Sequence, residues 1–189
     1  MSQIEPLASI IKEAMRIEED GLLASETHLA EARRWTRLHL MLGIPATIAA
    51  ALAGVSAVAN AAIVAVALAV TSAISSGLLT FLNPKENAVP HAAAAAQFKQ
   101  LYNRARILRE VDAQVEPIES LISIVKDLDA QRAKLFASVP VCAVASQHSA
   151  RSAINSGDVG YDVDQWQKET DAEVRKRVVD ILESKRNRR

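Results

Sequence analysis

Residues 40–82 read LMLGIPATIAAALAGVSAVANAAIVAVALAVTSAISSGLLTFL and contain no Asp, Glu, Lys or Arg. The last charge before this stretch is Arg37 and the first after it is Lys85. Its 43 residues exceed the ~20 helical residues that cross a bilayer's hydrocarbon core and suffice for two crossings joined by a tight turn. The first helix is read as Leu40–Val58 and the second as Ala62–Leu82. Asn60, the most polar residue of the stretch, falls at the turn, and Pro84, which lacks an amide hydrogen, marks the stop of the second helix. A short connection makes the two helices antiparallel neighbours.

Both helices have faces. On the first, Ile44, Ile48, Leu52 and Val55 recur at helical steps, and Gly43, Thr47, Ala50 and Gly54 form a stripe of small residues. On the second, Ile63, Val66, Val70, Ile74, Leu78 and Phe81 line one side, and Ala65, Ala69, Ser72, Ser76 and Thr80 another. Helices in lipid associate through small residues that let backbones approach, because lipid tails already satisfy apolar side chains. The small stripes are therefore expected at helix–helix seams and the bulky stripes against lipid. The competing reading is an alanine-rich hairpin buried in a soluble bundle. A chain of this length would then have to surround two long uncharged helices on all sides, with remaining helices that carry apolar stripes rather than surplus apolar surface.

Lysine plus arginine and aspartate plus glutamate both number 22, so the formal net charge is zero and nothing global points to nucleic acid. Local charge is more informative. Residues 1–39 carry seven acidic and five basic residues, with Arg33, Arg34 and Arg37 massed against the first helix and Trp35 at its boundary. Beyond the second helix come Lys85, Lys99, Arg104, Arg106 and Arg109, whereas the turn is uncharged. Basic flanks on both sides place both termini in the cytoplasm by the positive-inside rule, in a multi-pass protein of the cytoplasmic membrane. The apolar run begins too late for a signal peptide, so the first span is expected to act as an uncleaved anchor.

The predicted architecture is an all-α membrane protein: a two-helix transmembrane hairpin with long cytoplasmic helices forming a helical bundle or coiled-coil-like region. Residues 1–39 form the N-terminal cytoplasmic helix, with Leu7, Ile10, Ile11, Ala14 and Ile17 on one face and a candidate interruption at Gly21. Residues 40–82 are the hairpin. Asn83, Pro84 and Glu86 have the spacing of a helix N-terminal capping box, which opens a cytoplasmic helical hairpin over 83–137. Its first helix carries Phe98, Leu101, Tyr102, Ala105, Leu108, Val111 and Val115, and Pro117 separates it from a second carrying Leu121, Val125, Leu128 and Leu135. Leu101, Leu108, Leu121 and Leu128 are candidate contacts between subunits. Residues 138–163 form an irregular linker in which Asp158, Asp162 and Asp164 do not match a calcium-loop pattern. A C-terminal helix and basic tail occupy 164–189.

No catalytic constellation is present. His28, His39, His91 and His148 lie far apart and match no metal-ligand spacing, and there is no GxxxxGK, GxGxxG or GxSxG. The single cysteine, Cys142, excludes an intrachain disulfide and is read against a cysteine-based zinc site, as a small buried hydrophobe beside Val141 and Val144. No enzyme activity, cofactor or metal is expected.

The run Arg33-Arg34-Trp35-x-Arg37 before the hairpin, then Phe81-Leu82-Asn83-Pro84-Lys85-Glu86, His91, Phe98, Leu101 and Tyr102 after it, resembles the SLATT domain family. Those are prokaryotic proteins with two transmembrane helices and a cytoplasmic helical region. The likeness extends from the N-terminal helix to about residue 137, and its signature is loose. It implies an antiviral defence effector of a nucleotide-signalling conflict system, which permeabilises the inner membrane when a partner signals infection. A separate nucleotide-signal or sensor protein, or the chain's own cytoplasmic helices, would then supply the trigger.

Two helices alone cannot enclose a water channel, so a pore requires a homo-oligomer in the lipid bilayer. Thr47, Gly54, Asn60, Ser72, Ser76 and Thr80 are the candidates for a pore lining or helix seam. The rival readings are a membrane-anchored, non-conducting scaffold and a soluble all-helical interaction protein.

Overall fold

The computed structural model describes residues 4–59, 61–157, 176–181 and 183–184. Among these, every regular element is helical. α1 spans Ile4–Val58, α2 Ala62–Leu82 and α3 Pro84–Ile107. A π-helical turn, Leu108–Asp112, leads into α4, the single turn Ala113–Val115. α5 spans Ile118–Ser138 and α6 Val144–Asn155, and residues 176–181 are again helical. Asn60 and residues 164–175 of the expected C-terminal helix, with Asp158, Asp162 and Asp164, lie outside the described residues.

α1 runs 55 residues without interruption, through both Gly21 and Pro45. Gly21 does not break the helix because it serves a contact. A Cβ placed there would meet the backbone of α3, 3.0 Å from Tyr102 N and 3.2 Å from Phe98 O. That close approach offsets the ~1 kcal/mol that glycine costs inside a helix. Pro45 removes one helical donor, and α1 continues through it.

The described residues divide into two compact units, to both of which α1 and α3 contribute. The first joins residues 4–28 to those from Ala93 onward. Leu7, Ile10, Ile11, Ala14 and Ile17 of α1 pack with Phe98, Leu101 and Ala105 of α3, Leu108, and Leu121, Leu128 and Leu135 of α5. Val178 and Ile181 close this core. The seven-residue spacing of the α5 leucines keeps one side chain per two turns on the inner face. Val111 and Val115, expected on the α3 stripe, are exposed instead, and Ala113 is buried. The π-turn adds a residue after Leu108 and so rotates the following positions by one step. Glu116 and Pro117 are extended, with ψ of 148° and 156°, which ends the helix and starts α5 afresh.

The four leucines expected to join subunits require correction. Leu101, Leu108 and Leu121 are fully buried and Leu128 is 1% exposed, all within the chain's own core. They are spent on folding the monomer and offer no surface to a second copy.

The second unit, Leu29–Ala92, holds the α1–α2 hairpin. Its bulky side chains face outward: Ile63 is 87% exposed, Phe81 86% and Val66 63%, and no residue of α2 is buried. The inward positions of α1 are small, with Gly43 beside Leu79 and with Ala46 and Ala49 buried. Asn83 ends α2 in the left-handed conformation, φ 40°, and its N–H donates to Leu79 O. Its side chain bonds the Glu86 carboxylate, while Asn87 Nδ2 donates to Leu82 O at 2.8 Å. The expected capping box is thus a side-chain clasp across a sharp α2–α3 junction. Pro84 sits at the first position of α3, where its missing N–H costs nothing.

Candidate functional site

The outer surface of the hairpin is one candidate site. Ser72 Oγ donates to Ala46 O at 2.9 Å, a bond across the α1–α2 seam. Thr47, Gly54, Ser76 and Thr80 lie on exposed positions outside that seam. Thr47 Oγ1 donates to Gly43 O at 2.9 Å and Thr80 Oγ1 to Ser76 O at 3.0 Å, so these hydroxyls are satisfied by their own helix. A Cβ on Gly54 or Gly77 would meet nothing within 4 Å. At the boundaries, Arg33, Arg34, Arg37 and Lys85 are exposed and Trp35 is half-buried. Arg34 pairs with Glu31 at 3.3 Å. His91 and Glu31 are both buried; desolvation pushes the His91 imidazole below its ordinary value, and the Glu31 carboxylate opposes that shift.

The first unit contains a separate cavity of about 370 Å³. α1 supplies Asp20, Leu23, Ala24, Thr27 and His28 to its wall, and α5 supplies Phe136. Val139, Pro140, Val141 and Cys142 come from the α5–α6 connection, and Gln147 and Arg151 from α6. Cys142 Sγ lies 3.3 Å from His28 Nδ1. The His28 ring is stacked on Phe98, with centroids 5.6 Å apart and planes 12° from parallel, and Phe98 in turn packs against Phe136 at 5.0 Å. Packing thus fixes the imidazole plane, and the wall is braced by Asp20, which accepts from Arg132 at 3.1 Å.

Sequence spacing groups neither His28 nor Cys142 with anything, since 114 residues separate them. One signal was available: His28 continues the α1 stripe of Leu7, Ala14, Gly21 and Ala24, so a polar ring was committed to the inner face. Cys142, expected as a small buried hydrophobe, is half-buried and in contact with an imidazole. A lone cysteine rules out a multi-cysteine zinc site, but thiol plus imidazole are both metal-ligand types.

A second buried polar group lies in the same unit. Glu18, 2% exposed, accepts from Arg109 Nε at 2.9 Å and from its second nitrogen at 3.4 Å. Burial pushes the Glu18 carboxyl above its ordinary value, against the opposing Arg109 guanidinium. Arg109 also pairs with Glu110 at 2.9 Å, within the π-turn that carries both.

No family model, curated protein or solved structure matches this chain.

Proposed function

We propose that the chain is a membrane-inserted effector whose α1–α2 hairpin assembles with further copies of itself to permeabilise a bilayer. The observation that carries the membrane part is the outward-facing hairpin surface, apolar and free of ionisable groups from Leu40 to Leu82. Two facts support assembly. One hairpin is too thin to enclose water, and its own chain leaves Gly54, Gly77 and Ser76 uncovered, residue types that suit close helix contact in lipid. The resemblance to the SLATT family supports a defence role, with both termini cytoplasmic and a separate sensor as trigger.

A second reading is a membrane-anchored scaffold that does not conduct. It is favoured by the hydroxyls of Thr47, Thr71 and Thr80, each bonded to a carbonyl of its own helix and needing no aqueous lumen. Reconstitution separates the two. Purified full-length protein in liposomes loaded with a self-quenched dye releases the dye under the pore reading, more steeply than in proportion to protein density. Confirmed insertion without leakage at any protein density leaves the scaffold. The substitutions Ser76→Leu and Thr80→Leu test the assembly face: release unchanged by both rejects it.

A further inference from the structure

We propose that Cys142 and His28 form a nucleophilic thiol site, which takes small apolar α,β-unsaturated carbonyl compounds and becomes covalently modified by them. This inference is independent of the membrane reading, because the residues it rests on belong to the first unit and not to the hairpin. Three observations converge on it. The thiol is in direct contact with an imidazole, at 3.3 Å. That imidazole is 95% withdrawn from solvent and held in plane by Phe98, so it is a fixed rather than a wandering proton acceptor. Both groups line a cavity of about 370 Å³, within the ~300–1,000 Å³ range of small-molecule pockets.

The cavity's lining selects the class of electrophile. Leu23, Phe136, Val139 and Val141 make most of the wall apolar, which suits a hydrocarbon body. Gln147 and Arg151 bring N–H donors to the same cavity, which suits a carbonyl oxygen. Cys142 sits one residue before Ala143, the N-cap of the 12-residue α6, so the start of that helix fixes the backbone that carries the thiol.

The chemistry balances without an external oxidant. His28 Nδ1, in the tautomer protonated at Nε2, takes the thiol proton. The sulfur pair forms an S–C bond to the β-carbon of the electrophile, and the C=C π pair moves toward the carbonyl as an enolate. The imidazolium then returns the proton at the α-carbon. The net change is addition of S–H across the double bond, and the imidazole is regenerated.

Cys142 is the only cysteine, so a thiol label reports on it alone. The test uses full-length protein in detergent micelles, N-phenylmaleimide as the electrophile and intact mass as the readout. A free thiol is only a few per cent ionised at pH 7, so a base fixed 3.3 Å from the sulfur speeds the step by taking the proton as the S–C bond forms. The expected rate constant is therefore about tenfold that of N-acetylcysteine. The rate should also saturate with maleimide concentration, because the cavity binds the apolar ring before the bond forms. Cys142→Ser removes the adduct, and His28→Gln brings the rate down to that of the free thiol. Should His28→Gln fail to fold, the wild-type rate and its saturation decide alone. A linear concentration dependence with a rate at or below that of N-acetylcysteine overturns the proposal. A rate that rises on adding a chelator overturns it too, and assigns the pair to a bound metal ion.

Discussion

Replacing Val70 by lysine separates lipid from water as the solvent of the hairpin. Val70 is 53% exposed and lies two residues from the midpoint of Ala62–Leu82, ~3 Å along the axis at 1.5 Å per residue. In water, an exposed helical valine-to-lysine change falls within about 0.5 kcal/mol of neutral. At the centre of a bilayer the same change costs ~3–4 kcal/mol, the lysine penalty plus the lost valine gain, a ~100- to 1,000-fold shift of the insertion equilibrium. The two solvents thus give outcomes far enough apart to read by eye. Fourteen large apolar side chains between Leu40 and Phe81 are 43–87% exposed, and leaving each in water forfeits ~1 kcal/mol. That total of about 14 kcal/mol matches the whole stability of a typical domain. The assay follows carbonate-resistant membrane association and the accessibility of a tag in the turn near residue 60. Val70→Lys should lower both sharply, and Val89→Lys, at a 62%-exposed position beyond Lys85 and Glu86, should change neither. A Val70→Lys protein that inserts as well as wild type, or a wild type that stays soluble and monodisperse without detergent, refutes the argument.

Three further outcomes are expected. Gly21→Leu should destabilise the first unit by ~1–3 kcal/mol in thermal scans of the detergent-solubilised chain, because its Cβ meets α3 backbone rather than a yielding side chain; an unchanged Tm would show that the contact is slack. Ser72→Ala removes the bond to Ala46 O and should cost ~0.6 kcal/mol, at most ~1.7, in a steric-trap or SDS-unfolding measurement; Ser76→Ala, which lacks that bond, is the control. For Glu18 the folded-state value is raised above the unfolded one, so the fold binds the extra proton. Its contribution is then complete below the unfolded value of about 4.5 and fades as pH climbs through the folded value. The stability of wild type relative to Glu18→Gln should therefore fall as pH rises above 4.5, and Arg109→Ala, which raises the folded value further, should extend that decline to higher pH from the same starting point. A difference that grows with pH would reverse the sign and reject burial as the dominant cause.

Much of the architecture was legible because it depends on periodicity. The outward row from Ile44 through Phe81 follows from 3.6-residue spacing, as do the inward rows Leu7–Ile17 and Leu121–Leu135. What escaped were features that depend on a second chain segment. Gly21 reads as a breaker in isolation and becomes a contact only once Phe98 and Tyr102 lie against it. The π-turn has no compositional mark, yet it decides that Ala113 rather than Val111 turns inward. The four leucines were assigned between subunits because a stripe does not say whether its partner belongs to the same chain. The His28–Cys142 pair spans 114 residues and obeys no local spacing rule.

Side-chain sizes in the hairpin run in the opposite order to those in the first unit. In the first unit large side chains such as Phe98, Leu108 and Ile11 point inward, the arrangement that water imposes by rewarding buried apolar area. In the hairpin the order is inverted: Ala46, Ala49 and Ser72 occupy the inner side, while isoleucine, valine and phenylalanine point out. Water offers no reward for this. A hairpin folding in water would place Ile44, Ile48, Ile63 and Val66 between its helices and alanine outside, gaining burial from the same composition. A solvent that already satisfies hydrocarbon removes that gain and leaves close backbone approach and one interhelical hydrogen bond as the terms that decide orientation. The same sequence therefore carries two opposite packing rules on either side of Arg37 and Lys85, and the proposed lipid environment of the hairpin is the one in which its inverted order costs nothing.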